Sequence, residues 1–387
     1  GEVTKNSIQL GWTKVNDSNF SNYKLYRSII NNVDENSTLV TIINNSDQNT
    51  FTDEGLNSAT VYYYKVYVYS TNGIGSPSNE VSATTNRDIS AWVSTKTIPS
   101  LREGITKNSM HIISDNDIWI AGNREIWHYD GSNWSLNFSL DITTDEIYAI
   151  TFINSNKGWA VSGVGGSSTL YEYNGIIWSK VENISLPYVS YDIAAFNNGN
   201  ILIVGSEGFG HEPIAQFNKS VWSTSSIQSI LFDLDVISEN NIWALGKEGN
   251  VFNFNGVGWA LTDQINKGEV SSISALSSND IWVTTLTDGT NSSSASGLWH
   301  FNGSKFDGRY KLPENKYYQA RYSIEMISAQ EGWSSLYNFP YSFSYFDGNN
   351  WQDISNPVNS SVRCIKFLSR DNGWAITEDG TILRYLE

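Results

Sequence analysis

Cysteine occurs once in 387 residues, methionine twice and proline seven times. One thiol excludes an internal disulfide framework, and Cys364, set in the apolar run Val362-Arg-Cys-Ile-Lys-Phe367, is expected to be buried on an inner strand. No apolar stretch approaches the roughly 18 residues that a membrane-spanning helix needs. Basic residues are few, 24 against 40 acidic ones, giving a net charge of −16, of which −3 falls in residues 1–86 and −13 beyond. Such a body repels phosphate backbones, so nucleic acid is excluded as a partner. The four histidines show no metal-ligand spacing, and no phosphate-cradling glycine loop or nucleophile elbow occurs. No metal, cofactor or catalytic residue is therefore expected. The run Thr287-Asp-Gly-Thr-Asn-Ser292 lacks the terminal bidentate acid of a calcium loop and is expected to be ordinary solvated chain.

What is present is aromatic and periodic. Seven times the chain repeats a short apolar strand, a polar turn, a Trp-Ala-Val-Gly variant, a loop, an aromatic strand, and Asn/Asp-Gly followed by Trp. The anchors are Trp119, Trp159, Leu202, Trp243, Trp282, Trp333 and Trp374, at spacings of 40, 43, 41, 39, 51 and 41. A unit of about 40 residues with four short strands cannot bury its apolar faces alone, so the copies must stack radially as a β-propeller. The seventh copy ends after its third strand. Residues 90–97 supply the missing pattern, with Trp92 where other copies have Trp134, Trp178, Trp222, Trp259, Phe306 and Trp351, and are expected to close the ring.

The first 86 residues follow another pattern. Period-two strands at residues 7–12, 23–27, 39–43, 60–69 and 79–84, separated by turn residues, predict an all-β sandwich. Trp12 in the second strand, Leu56 to Thr60 leading to Tyr62 as in a tyrosine corner, and Asn72-Gly-Ile-Gly-Ser-Pro77 before the last strand resemble the fibronectin type III family. The family's first strand should precede Val3, so further domains or subunits are expected at the N-terminal end. Alternation turns Tyr62, Tyr64, Val66 and Val68 inward and leaves Tyr63, Tyr67 and Tyr69 outside beside Tyr26, a patch expected to be covered. The propeller copies, with Gly-Trp-Ala-Val before a loop, resemble bacterial neuraminidase-repeat-like and photosystem II assembly factor-like propellers. An intact sialidase Asp-box is missing, so that resemblance implies no catalytic residues. The expected architecture is all-β: a fibronectin type III-like sandwich over residues 1–86, then a seven-bladed propeller over 87–387.

Function is read from what departs from the repeat. Tryptophans recurring at one place in every copy are expected to pack blade on blade, and so are His128 and His300, which follow Trp127 and Trp299 at equivalent positions. Asp233 and Asp235 alternate along one strand and offer a weak basis for acid–base chemistry. Excess length gathers at blades five and six, in residues 286–297, 307–321 and 336–343. These hold Tyr310, Tyr317, Tyr318, Tyr337, Phe339 and Tyr341, with Arg309, Lys311, Lys316 and Arg321 as a basic cluster on an acidic protein. Non-repeated aromatic and basic residues on loops of a rigid scaffold predict a ligand site, of which Arg309, Tyr310, Tyr318, Arg321, Tyr337, Phe339 and Tyr341 are the candidates. The alternative is an insertion packed on itself. The expected function is a non-enzymatic binding or scaffold module taking a glycan or protein on that propeller face. The 43 asparagines and the serine-rich loops suit a secreted or cell-surface protein. A carbohydrate-active hydrolase or lyase, or a subunit of a surface assembly, are the competing readings; an enzyme would show two carboxylates about 5 to 10 Å apart in the central pocket.

Overall fold

The computed structural model describes residues 1–101, 109–141, 145–164, 167–208, 210–218, 220–265, 269–286, 297–307, 321–336, 341–355 and 357–387. The chain forms two compact units, Gly1–Ala91 with Glu387, and Trp92–Leu386.

The first unit is a two-sheet sandwich. Ser7–Gly11 pairs Thr50–Glu54, and a second sheet orders Thr38–Ile43, Phe20–Ser28, Val61–Ser70 and Gly75–Pro77, with Val81–Thr84 also on Val61–Ser70. Alternation along Val61–Ser70 buries Tyr62, Tyr64 and Val66 with Ile8, Tyr23 and Leu25, and Trp12 meets Tyr23 edge-on at 5.5 Å. The tyrosine corner is formed: Tyr62 Oη accepts the Asn57 amide at 2.9 Å. Tyr63, Tyr67 and Tyr69 are half-buried; Tyr67 meets Tyr26 edge-on at 5.4 Å and the Lys24 ammonium lies 4.2 Å over the Tyr69 ring. One buried polar network ties the sheets together. Asp53 of the small sheet takes two bonds from Arg27 Nη1, at 3.1 and 2.9 Å, and one from Tyr64 Oη at 2.9 Å.

The second unit holds, among the described residues, seven four-stranded antiparallel sheets in the order expected of propeller blades. Their inner strands are Ser109–Ser114, Glu146–Asn154, Val189–Ala195, Leu231–Ser238, Val270–Ser277, Ile324–Ser328 and Val362–Ser369. The last sheet takes Trp92–Thr97 as its outer strand, paired with Thr381–Leu386. Each anchor is buried against aromatic residues of the following blade. Trp119 meets Phe152, Tyr173 and Trp178; Trp282 meets Phe346 and Trp351; Trp333 meets Trp92, Phe367 and Tyr385; and Trp374 returns to Tyr129 and Trp134 of the first blade. Aromatic area and edge-on geometry thus make the blade interfaces.

The repeated letters have local causes. In the turn before the outer strand, Asp130 Oδ1 accepts the amides of Ser132 and Asn133, and Asn174 Oδ1 those of Ile176 and Ile177. The glycine between must follow, since Gly131 sits at φ +92° and a Cβ there would lie 2.8 Å from Asn116.

Candidate functional site

The seven sheets share one register. His111, Thr151, Ala194, Asp235, Ser274, Glu325 and Lys366 are the cross-strand partners of the seven anchors, each eight residues earlier in the chain. They form one layer of the channel wall, and equivalent residues two positions earlier form another. Side chains of these layers bond from blade to blade. Ser109 Oγ accepts the Ile150 amide at 3.2 Å, Asp192 Oδ2 that of Leu234 at 3.0 Å, Asp233 Oδ2 that of Ile273 at 2.9 Å and Ser323 Oγ that of Ile365 at 3.2 Å. In the deeper layer, Asp235 Oδ2 takes the Ala275 amide at 2.7 Å and Ser274 Oγ that of Met326 at 3.0 Å. Asp233 and Asp235 therefore satisfy otherwise unpaired backbone donors of blade five, a structural duty that explains their alternation.

The deeper layer is also ionic. Lys366 Nζ meets Glu325 Oε2 at 2.9 Å, and this carboxylate, with Asp235, raises the lysine's pKa. Desolvation pushes Asp235 up to about 6, with Glu325 adding to it and Lys366 opposing. Burial, with the nearby charge of Lys366 adding to it, lowers His111 to about 4, so the imidazole is neutral at pH 7.

Residues of both layers line a cavity of about 880 Å³. Its wall reaches the strand ends at Leu286 and the turn at Lys247 and Glu248, so it opens on the face of the blade-to-blade loops. At the start of three consecutive inner strands, each at a β-bulge, stand Tyr148, Tyr191 and Phe232. The bulge turns these side chains out of the pleat. Their rings touch in sequence, Tyr148 to Tyr191 at 5.6 Å edge-on and Tyr191 to Phe232 at 5.5 Å, making an aromatic arc over three blades. Tyr322 holds the equivalent place in blade six, where the Arg363 guanidinium lies 3.8 Å from its ring and bonds Glu378 at 3.1 Å. Five carboxylates line the cavity, those of Asp192, Asp233, Asp235, Glu248 and Glu269, against two ammonium groups, those of Lys247 and Lys366.

Of the residues nominated from sequence, Arg309, Tyr310, Tyr318, Tyr337 and Phe339 lie outside the described residues, as does 287–292. Tyr341 opens the strand Tyr341–Phe346. Arg321 is fully buried at the start of blade six, its guanidinium 5.9 Å from the Trp351 ring, and this burial holds its pKa down at about 10. His128 and His300 stack on Trp119 and Trp282 at 4.0 and 4.3 Å and meet Asp117 and Asp280 at 2.9 and 2.8 Å. Cys364 is buried in the inner strand of blade seven. The aromatic arc was not singled out from sequence, although Tyr148, Tyr191 and Phe232 each stand eleven residues before an anchor. That offset was the available signal.

Residues 1–84 match the family model described as Fibronectin type III domain. No curated protein matches the chain in sequence. Among solved structures the chain is similar to YCF48 bound to D1 peptide, at 17% identity and a TM-score of 0.61, covering 78% of this chain and 98% of that one. It is similar to a catalytically inactive virginiamycin B lyase from Staphylococcus aureus with quinupristin, at 10% identity and a TM-score of 0.61, over 76% and 99% of the two chains. The WD40 beta propeller domain of Doa1 aligns at 9% identity and a TM-score of 0.55, over 77% and 98%. At these identities the likeness establishes fold alone. The protein is thus a fibronectin type III domain followed by a seven-bladed propeller, an architecture that suits binding or scaffolding. No described helix is long and apolar enough to cross a membrane.

Proposed function

We propose that this chain is a non-catalytic binding module, extracellular or at a cell surface, whose propeller takes a protein partner on the face of the irregular blade-five and blade-six loops. One observation carries the reading: a cavity of about 880 Å³ opens on that face between aromatic and polar walls. The inner-strand carboxylates in it are engaged by backbone amides of neighbouring blades, which suits a scaffold better than a pair of catalytic acids. The likeness to a chain solved with a bound peptide supports a polypeptide ligand. A glycan is the other outcome of the test.

Cell-surface pull-down and glycan-array measurements should be run on wild type and on a Tyr337→Ala, Phe339→Ala, Tyr341→Ala triple variant. A captured protein lost by the triple variant, with its melting unchanged, supports the reading. Binding that survives the change places the site elsewhere, and glycan-only binding replaces the partner class. Labelling of intact source cells by a membrane-impermeant biotin reagent tests the location; an unlabelled protein in intact cells contradicts it.

A further inference from the structure

We infer that the cavity is a receptor for one uncharged aromatic side chain, tyrosine in preference to phenylalanine, carried at the tip of a partner loop. This rests on the binding-module reading and names the chemistry of its central contact. The walls supply area first. Tyr148, Tyr191 and Phe232 stand half-buried in the cavity wall on three adjacent blades, and Ile230, Leu234, Val270 and Leu286 extend its apolar lining. The three rings meet edge-on or tilted, which is how aromatic side chains cluster, and a further ring extends the cluster in the same manner. The volume of about 880 Å³ exceeds that of one ring, so the loop tip that carries it enters as well.

Charge and hydrogen bonding then select the kind of ring. Within the wall the ionic groups have partners already: Asp192, Asp233 and Asp235 take backbone amides, and Lys366 meets Glu325. The hydroxyls of Ser109, Ser271 and Ser323 are bonded too. Lys247, Glu248 and Glu269 stand exposed where the cavity opens. A charged side chain entering the cavity gives up its hydration for groups that are engaged elsewhere, a cost that an uncharged ring avoids. His111 and Tyr148 differ from the rest of the wall. On the adjacent inner strands of blades one and two, a neutral imidazole and a phenol line the cavity and make no hydrogen bond with a described residue. Each can donate and accept, so a ring that carries a hydroxyl satisfies them and a plain ring leaves them without a partner.

The test is an NMR titration of the intact protein at neutral pH with four blocked tripeptides, acetyl-Ala-X-Ala-amide, in which X is tyrosine, phenylalanine, cyclohexylalanine or arginine. Phenylalanine should bind at least about threefold more tightly than cyclohexylalanine, which keeps the bulk and loses the π-face. Tyrosine should gain several-fold over phenylalanine through its hydroxyl, and arginine should bind least. Tyr191→Leu and Phe232→Leu keep apolar volume but remove π-faces, and each should bring phenylalanine toward cyclohexylalanine. A Tyr148→Phe, His111→Leu double variant keeps the arc and removes the two hydrogen-bonding groups, so it should erase the tyrosine preference while leaving phenylalanine unchanged. Tightest binding by arginine, equal binding of all four peptides or binding of none overturns the proposal. So does the wild-type ranking in leucine or double variants of unchanged melting. If pull-down captures a partner and the tripeptides fail, this proposal falls and the binding-module reading stands. If the tripeptides rank as expected and no macromolecule is captured, the site stands and the protein-partner reading falls.

Discussion

His111 and Asp235 face one channel, and the same desolvation moves them oppositely, the imidazole down to about 4 and the carboxyl up to about 6. The folded state holds the Asp235 proton more tightly than the unfolded chain, so its contribution is full below the ordinary carboxylate range and is lost as pH rises through about 6. His111 acts in the other sense: the folded state disfavours imidazolium, and stability is lost as pH falls from the ordinary histidine value of 6.5 toward 4. Between pH 4 and 6 the two slopes oppose, each on the order of 1 kcal/mol per pH unit. Urea midpoints should therefore vary little for this pair in wild type. His111→Gln should lose stability with rising pH relative to wild type, and Asp235→Asn should gain it. Parallel profiles for all three proteins would refute the assignment. In the first unit, Asp53→Ala strands the Arg27 guanidinium and the Tyr64 hydroxyl between two sheets, and a loss of about 3 kcal/mol in chemical denaturation is expected. Asp53→Asn should lose less, because it still accepts from Tyr64; equal losses would argue against the charge.

Strands and turns were legible wherever the packing rule repeats. The anchors sit in equivalent interfaces, so Trp119, Trp282, Trp333 and Trp374 carry one letter for one physical reason, and the Asp130-Gly131 turn carries two. Trp92 announced an outer strand because it carries that strand's tryptophan far from the sheet it joins; in the structure its ring stacks on Phe343 at 4.3 Å and meets Trp333 edge-on at 5.5 Å. Trp92→Ala should destabilise the ring by about 3 to 5 kcal/mol. Val93→Ala on the same strand, 51% exposed, should cost under about 0.5 kcal/mol. Thermal melts in which both variants fall equally would show that the strand, and not the packed ring, carries the effect. The site was less legible for the opposite reason. Among the described residues, the blades carry Tyr148, Tyr191, Phe232, Ser271, Tyr322 and Arg363 at the arc's position, so recurring letters miss it, although the first five of these line the cavity. Irregular loop length points instead to blades five and six, where, of the seven nominated residues, Arg321 and Tyr341 are among the described ones.

Across the whole molecule the decisive quantity is charge. The chain carries −16, mostly beyond residue 86, and the cavity repeats that sign locally. Such a distribution accelerates encounter with a basic partner and slows it with an acidic one, while short-range contacts govern how long a complex lasts. Salt screens the first effect with a Debye length of about 10 Å at 0.1 M and leaves contacts inside the cavity less affected. The association rate of a captured partner should therefore fall about tenfold between roughly 0.01 M and 0.15 M salt, with the dissociation rate changing far less. Surface-immobilised kinetics over a salt series measures both rates directly. An association rate indifferent to salt would show that the acidic body plays no part in recognition, and a partner that binds faster at high salt would carry the wrong sign for this protein.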